Sequence, residues 1–257
     1  MPDPPDPRPQ FDITNRTILL TGGTGGLGSA IARGLAACGA HLVIVARAAD
    51  RLKEIVVGIQ DAGGSAVGVP ADITLAEDRA AVVDTAIAEF GGIDVLINNA
   101  GVTHRVPVAE LDVETYRRIN GVNAEAALFL AQAAYPHLKA HGNGSVVNVL
   151  SIGMWNSGAN SVLYRSTKSA LHGMTMVLAQ EWAQDGIRVN AVAPGTFEAG
   201  MGTALSADRV AAQVARTPMR RRGRPDEIVP TMLYLASDAS SYVTGTTLRV
   251  DGGTVSL

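Results

Sequence analysis

Thr17-Ile-Leu-Leu-Thr21-Gly-Gly-Thr-Gly-Gly-Leu-Gly28 is the stretch on which the reading of the whole chain turns. A short apolar run of the kind that forms a buried strand stops at a cluster of glycines. From Gly26 to Gly39, small and apolar residues then recur at helical spacing (Leu27, Ile31, Leu35, Cys38) before a closing glycine. The turn between strand and helix reads in two ways. Gly23, Gly25 and Gly28 satisfy G-x-G-x-x-G, whereas Gly22, Gly26 and Gly28 satisfy T-G-x-x-x-G-x-G. Either spacing meets the same physical need, because residues without Cβ turn tightly and let a pyrophosphate approach the N–H groups of a helix N-terminus. A glycine-rich stretch is weak by itself in a chain with 28 glycines; its weight comes from the flanking strand and helix.

The same alternation continues outward. Further strands are expected over 42–46, 66–69, 93–97, 145–150, 187–192 and 246–250, and helices over 50–62, 75–90, 113–140, 161–184 and 225–236. A polar, Arg-rich segment runs up to Arg224 before the last helix. The strands scarcely alternate between apolar and polar residues, so both of their faces are buried, and the helices between them are the crossovers of a parallel sheet. This predicts an α/β fold of Rossmann type: a doubly wound parallel sheet of about seven strands with helices on both faces. Residues 13–257 are expected to form one dinucleotide-binding catalytic domain. Residues 1–12 read as a disordered tail, since the first ten carry five prolines and no apolar run.

Composition narrows the class. Of 257 residues, 47% are hydrophobic and 18% charged, which predicts a sizeable core rather than a disordered chain. A net charge of -3 lacks the basic footprint of a nucleic-acid binder. Cys38 is the only cysteine, which excludes an intrachain disulfide and a Cys-cluster metal site and suits the cytoplasm. The most apolar long stretch, 30–46, is broken by Arg33 and His41, so no membrane partner is expected. His137 and His141 are spaced i, i+4, but no Glu lies between them and no third ligand is evident. A frayed helix end is the reading, and no metal is expected.

Four residues carry candidate chemistry. Arg47 follows the second strand, where an acidic residue would bond a ribose 2′-OH and an arginine accommodates a 2′-phosphate. NADP(H) is therefore favoured, with NAD(H) possible; Asp50 nearby reads as the cap of the next helix. Tyr164 and Lys168 share one face of an expected helix, where an ammonium beside the phenol would lower the Tyr pKa and ready it for proton transfer. With five tyrosines and only three lysines, chance would place this spacing about 0.06 times. Ser151 lies just past a parallel strand, where it would face the ligand crevice and hydrogen-bond the same carbonyl oxygen. It has no Gly-x-Ser-x-Gly elbow, which argues against a nucleophile.

With these residues in place, the chain resembles the short-chain dehydrogenase/reductase family over nearly all of 14–253. The resemblance is carried by residues 21–28, Asp72-Ile73, Asn98-Asn-Ala-Gly101, Asn123, Ser151, Tyr164-Arg-Ser-Thr-Lys168, Pro194-Gly195 and Asp251-Gly-Gly253. It implies an NAD(P)-dependent oxidoreductase that interconverts a ketone and a secondary alcohol by hydride transfer. Tyr164 would be the general acid/base, Lys168 would tune it and hold the nicotinamide ribose, Ser151 would polarise the substrate oxygen, and Asn123 would hold a relay water. The cofactor would lie on Gly22, Thr24, Gly25, Gly26, Leu27 and Gly28. Asp72 and Ile73 would meet the adenine, Asn99, Ala100 and Gly101 would line the cofactor, and Pro194, Gly195 and Phe197 would approach the nicotinamide. Among relatives the chain is similar to 3-oxoacyl-carrier-protein reductases and to sugar-acid dehydrogenases such as gluconate 5-dehydrogenase.

Two positions depart from the family pattern: Ala199 stands where Thr is common, with Thr203 as a possible substitute, and Leu150 precedes Ser151 where a second Ser is common. Arg220, Arg221, Arg222 and Arg224 read as a solvated loop or as a contact for an anionic substrate. His104, Met154, Trp155 and Asn156 either border the substrate pocket or pack under the segment near 197–207. The resemblance implies a homo-oligomer, commonly a tetramer, built on the helices over 113–140 and 161–184, which look apolar on more than one side. The rival from another class is a catalytically silent dinucleotide-sensing protein of the same fold.

Overall fold

A computed structural model describes residues 6, 8–156, 158–200 and 206–255. Seven parallel strands form one sheet: β1 (Thr17–Thr21), β2 (His41–Ala46), β3 (Ser65–Pro70), β4 (Val95–Asn98), β5 (Ser145–Val149), β6 (Arg188–Pro194) and β7 (Thr247–Val250). They lie in the order β3-β2-β1-β4-β5-β6-β7. The chain thus winds outward from β1 to one edge, returns to the centre and winds to the other. Register is direct, with Thr17 opposite His41 and Ile18 opposite Val95.

Alternation along each strand divides the core into two layers. Ile18, Leu20, Leu42, Ile44, Val147 and Val149 face one way, against Ile31 and Leu35 of α1 (Gly26–Ala37), Leu52 of α2 (Ala49–Asp61) and Met232 and Leu235 of α8 (Val229–Ala236). Leu19, Val43, Leu96 and Val146 face the other way. There they meet Val82 of α3 (Ala76–Phe90), Leu130 and Leu138 of α5 (Ala126–His141) and Ala179 of α6 (Val162–Trp182). Helices therefore cover both faces of the sheet.

Several local expectations are corrected. The helix expected over 113–140 is α4 (Val113–Asn120) and α5, joined by a wider π turn at Gly121–Glu125. The Arg-rich segment contains a further helix, α7 (Ala207–Arg216). Asp50 lies inside the first turn of α2, whose cap is Ala48 without a side-chain hydrogen bond. Arg8–Phe11, within the expected tail, form a short 3-10 turn, and the Phe11 ring stands 6.3 Å from that of Tyr234. No helix among the described residues is long and apolar enough to cross a membrane.

Candidate active site

Between β1 and β4 the strand order reverses, and at the carboxyl ends of the strands a cleft of about 810 Å³ opens there. This is the crevice in which open α/β sheets take ligands. The glycine turn forms one wall, and its geometry favours one of the two spacings. A Cβ on Gly22, at φ +67°, would stand 2.8 Å from the backbone of Ala100. One on Gly26 would meet the amide nitrogen of Gly200 at 2.1 Å, and one on Gly28 the carbonyl oxygen of Gly22 at 2.1 Å. At Gly25 the nearest atom would be 3.5 Å away, an ordinary contact. Gly22, Gly26 and Gly28 are thus the positions that backbone approach restricts. Gly23 is restricted too, but by the Ile44 side chain.

The turn is held from β4. Thr21 Oγ1 accepts hydrogen bonds from the N–H groups of Asn99 and Ala100, each at 3.0 Å. Asn99 Nδ2 donates to the carbonyls of Thr21 and Gly22. A cradle of bare backbone, open where a Cβ would close it, fits a dinucleotide pyrophosphate.

Thr24, Leu27, Arg47, Asp72, Ile73, Asn99, Ala100 and Gly101 all line the same cleft. Hydrogen bonds from the Thr74 hydroxyl and N–H hold the Asp72 carboxyl below its usual range, and the exposed Arg47 guanidinium adds a smaller pull. Pro194, Gly195 and Phe197 reach the cleft from the end of β6. Phe197 is largely buried and packs on Gly223, where a Cβ would stand 2.8 Å from its ring. Ala199 also lines the cleft; Thr203 lies outside the described residues.

Ser151, Tyr164 and Lys168 line this same cleft, with Ser151 hydrogen-bonded to the Tyr164 phenol. Ser151 follows β5, and its Oγ accepts from the Gly153 N–H at 3.0 Å, which leaves the hydroxyl proton free to donate. Tyr164 and Lys168 lie on α6. Burial pushes the Tyr164 phenol above its ordinary pKa, and the hydrogen bond from Ser151 draws it back. The expected lowering by an adjacent ammonium is therefore not what dominates here. Burial instead depresses Lys168 to about 8, and its Nζ donates to the Val149 carbonyl at 2.7 Å.

Asn123 is the one expected site residue that does not line the cleft. It is buried in the π turn, with Oδ1 accepting from Val102 N at 2.8 Å and Nδ2 donating to Val102 O at 2.9 Å and to Thr167 Oγ1 at 3.1 Å. Its side chain thus fastens the strap after β4 to α6.

The Arg-rich loop does not reach the cleft. Arg221 forms a two-pronged pair with Glu227, Arg224 pairs with Asp226 and Glu227, and Arg220 donates to the Ala215 carbonyl. Three arginines that motif reading passed over do line it: Arg105, Arg165 and Arg216. Of His104, Met154, Trp155 and Asn156, only Asn156 lines the cleft; the Trp155 ring stands edge-on to His172 with the Arg249 guanidinium over it. His141 faces Asp94 at 3.3 Å.

Comparison with known proteins follows the same lines. Residues 22–255 match a family model described as Enoyl-(Acyl carrier protein) reductase. The chain is 41% identical to a cis-4-hydroxycyclohexanecarboxylate dehydrogenase of Sinomonas cyclohexanicum, over 94% of this chain and 97% of that one. It is 35% identical to the gluconate 5-dehydrogenase of Gluconobacter oxydans, over 96% and 98% of the two chains. A solved gluconate 5-dehydrogenase of Burkholderia cenocepacia J2315, in complex with NADP and tartrate, superposes with a TM-score of 0.90. It shares 33% identity and covers 95% of this chain and 97% of its own.

Proposed function

This chain belongs to the short-chain dehydrogenase/reductase family, and on that footing we propose that it is an NADP(H)-preferring enzyme interconverting a ketone and a secondary alcohol. The observation that carries this reading is that Ser151, Tyr164 and Lys168 line one cleft together with the glycine turn. A nicotinamide dinucleotide held there would supply the hydride in reduction and, in its oxidised form, accept it from the alcohol in the reverse direction. In reduction, Tyr164 gives its phenolic proton to the carbonyl oxygen; in oxidation it takes the alcohol proton back. Ser151 aims the substrate oxygen at that phenol. Lys168, between the phenol's helix and the Val149 carbonyl, holds the ribose and sets the proton balance of the pair. Asn123 acts as a positioning residue through Val102 and Thr167 rather than by touching substrate.

The backbone of Gly22, Thr24, Gly25, Gly26, Leu27 and Gly28 would hold the nucleotide's pyrophosphate. Arg47 would take the 2′-phosphate, Asp72 and Ile73 the adenine, and Asn99, Ala100 and Gly101 the middle of the cofactor. Pro194, Gly195 and Phe197 would hold the nicotinamide. We assign these roles to one catalytic unit beginning at residue 13, working in the cytoplasm as a homo-oligomer, with a tetramer the expected form. Exposed apolar side chains on α4, α5 and α6 (Val113, Tyr116, Phe129, Val162, Met176, Val177) support that association.

The test is NADPH oxidation with a panel of ketones. Tyr164→Phe is expected to lower turnover by about 10²- to 10⁴-fold while NADPH still binds. Equal turnover by wild type and variant would refute the mechanism.

A further inference from the structure

The charged side chains lining the cleft are unevenly matched. Five are cationic (Arg47, Arg105, Arg165, Lys168 and Arg216), and only Asp72 is anionic. Asp72 follows β3, where its carboxyl is held by Thr74 and feels the Arg47 charge, so it serves the nucleotide end. Arg165 is different. It follows Tyr164 on α6 and folds back over the segment after Ser151, where Nε donates to Ser161 Oγ at 2.6 Å. Its Nη1 donates to the carbonyls of Gly153 and Asn156 and, at 2.7 Å, to Asn156 Oδ1.

All of these acceptors are neutral. They fix the guanidinium's orientation and leave its whole positive charge uncompensated. Arg105 stands close enough to repel it: burial, and then the Arg105 charge, hold Arg165 below its ordinary pKa. No carboxylate among the described residues forms an ion pair with either side chain. Two like charges lining one cleft within range of each other, the better buried of them pre-oriented, are unfavourable alone and become favourable when an anion sits between them. A carboxylate matches the planar fork of a guanidinium in shape as well as charge.

Resting on the carbonyl–alcohol reading above, we propose that Arg165 and Arg105 bind a carboxylate carried by the substrate, so that the enzyme acts on keto acids and hydroxy acids. The site adjoins the proton donor, because Arg165 lines the same cleft as Tyr164 and Ser151 and holds the carbonyl of Gly153, whose N–H donates to Ser151 Oγ. The anionic group would thus fix which carbonyl of a polyfunctional substrate faces the hydride donor. Arg220, Arg221 and Arg224 of the loop before α8, the other basic cluster in the chain, are taken up by the Ala215 carbonyl, Glu227 and Asp226, and none of them lines the cleft.

The decisive measurement is calorimetric titration with cyclohexanecarboxylate and with the neutral cyclohexanecarboxamide, on the protein alone and with saturating NADPH. The carboxylate is expected to bind at least about tenfold more tightly than the amide, and Arg165→Met and Arg105→Met each to remove about tenfold of that affinity. Arg165→Lys should restore part of it. In turnover, 4-oxocyclohexanecarboxylate should be favoured over its methyl ester, and Arg165→Met should bring that ratio toward one. Equal binding of acid and amide, or binding of neither, would overturn the proposal. So would an Arg165→Met variant that slows acid and ester alike, because that is the behaviour of a loop clamp alone. Failure of the wild type to bind NADPH, or turnover that survives Tyr164→Phe, would instead count against the oxidoreductase reading; the titration without nucleotide is independent of both.

Discussion

A single missing Cβ decides the shape of the nucleotide wall. At Gly26 and Gly28 the atom would collide with main chain at 2.1 Å, and main chain cannot rotate away as a side chain can. At Gly25 it would make only an ordinary contact. Two overlapping glycine motifs that look equal on paper are therefore unequal in space. Charge at single residues is similarly divided. Arg47 is exposed and lines the cleft, and a guanidinium there suits a 2′-phosphate. Arg47→Asp is expected to cut the ratio of NADPH to NADH affinity by about tenfold or more, measured by fluorescence titration of each nucleotide. An unchanged ratio would place the selectivity elsewhere. Arg165 shows the limit of motif reading: it lies inside Tyr164–Lys168, yet the spacing that singles out its neighbours says nothing about where its own side chain goes.

Among the elements, the π turn between α4 and α5 has the clearest consequence. Its extra residue per turn breaks the helical period for one turn and brings Asn123 inward, as such turns commonly do at functional sites. The amide then satisfies both the N–H and the carbonyl of Val102, a strap with no strand partner of its own. Asn123→Ala would leave those two groups unpaired, at a cost of about 2 kcal/mol or more in urea unfolding. A variant as stable as the wild type would show that the strap finds other partners. Sequence periodicity reads 113–140 as one helix because a π turn interrupts the pattern without introducing glycine or proline at its centre. α7 escapes for a different reason. Its apolar residues do recur at helical spacing (Ala207, Val210, Ala211, Val214), but the arginines within and after it make the whole stretch read as a polar segment.

For the molecule as a whole, the buried lysine links chemistry to stability. The pKa of Lys168 is about 8 in the folded protein and 10.5 in the ordinary state, so between these values the unfolded chain binds more protons. Unfolding free energy should therefore rise with pH across that window, by up to about 3 kcal/mol from this group, and stay flat in this respect below about 8. Lys168→Met, which cannot titrate, should lack the rise when its denaturation midpoints are compared with wild type across pH 7.5 to about 10.5. Identical pH profiles would mean that the amine does not carry the burial penalty. Assembly belongs to the same scale. Size-exclusion chromatography should show a homo-oligomer, and elution as a monomer would refute the association proposed for α4, α5 and α6.

The amino-acid order determined the layered fold and most of the cleft, since both rest on local rules. Apolar runs without alternation make doubly buried strands, and a glycine turn must follow the first of them wherever a phosphate is to approach backbone. Tyr164, Lys168 and Ser151 were legible because spacing on a helix and position at a strand end are properties of the chain itself. Tertiary structure decided what depends on neighbours distant in sequence. It tied Asn123 to Val102 and Thr167, gave Tyr164 a phenol governed by burial and by Ser151, and turned Arg221 and Arg224 toward Glu227. It also turned Arg165 and Arg105 to the cleft. The physical reason is that desolvation and the meeting of charges are sums over surroundings, and those surroundings exist only once the chain has folded.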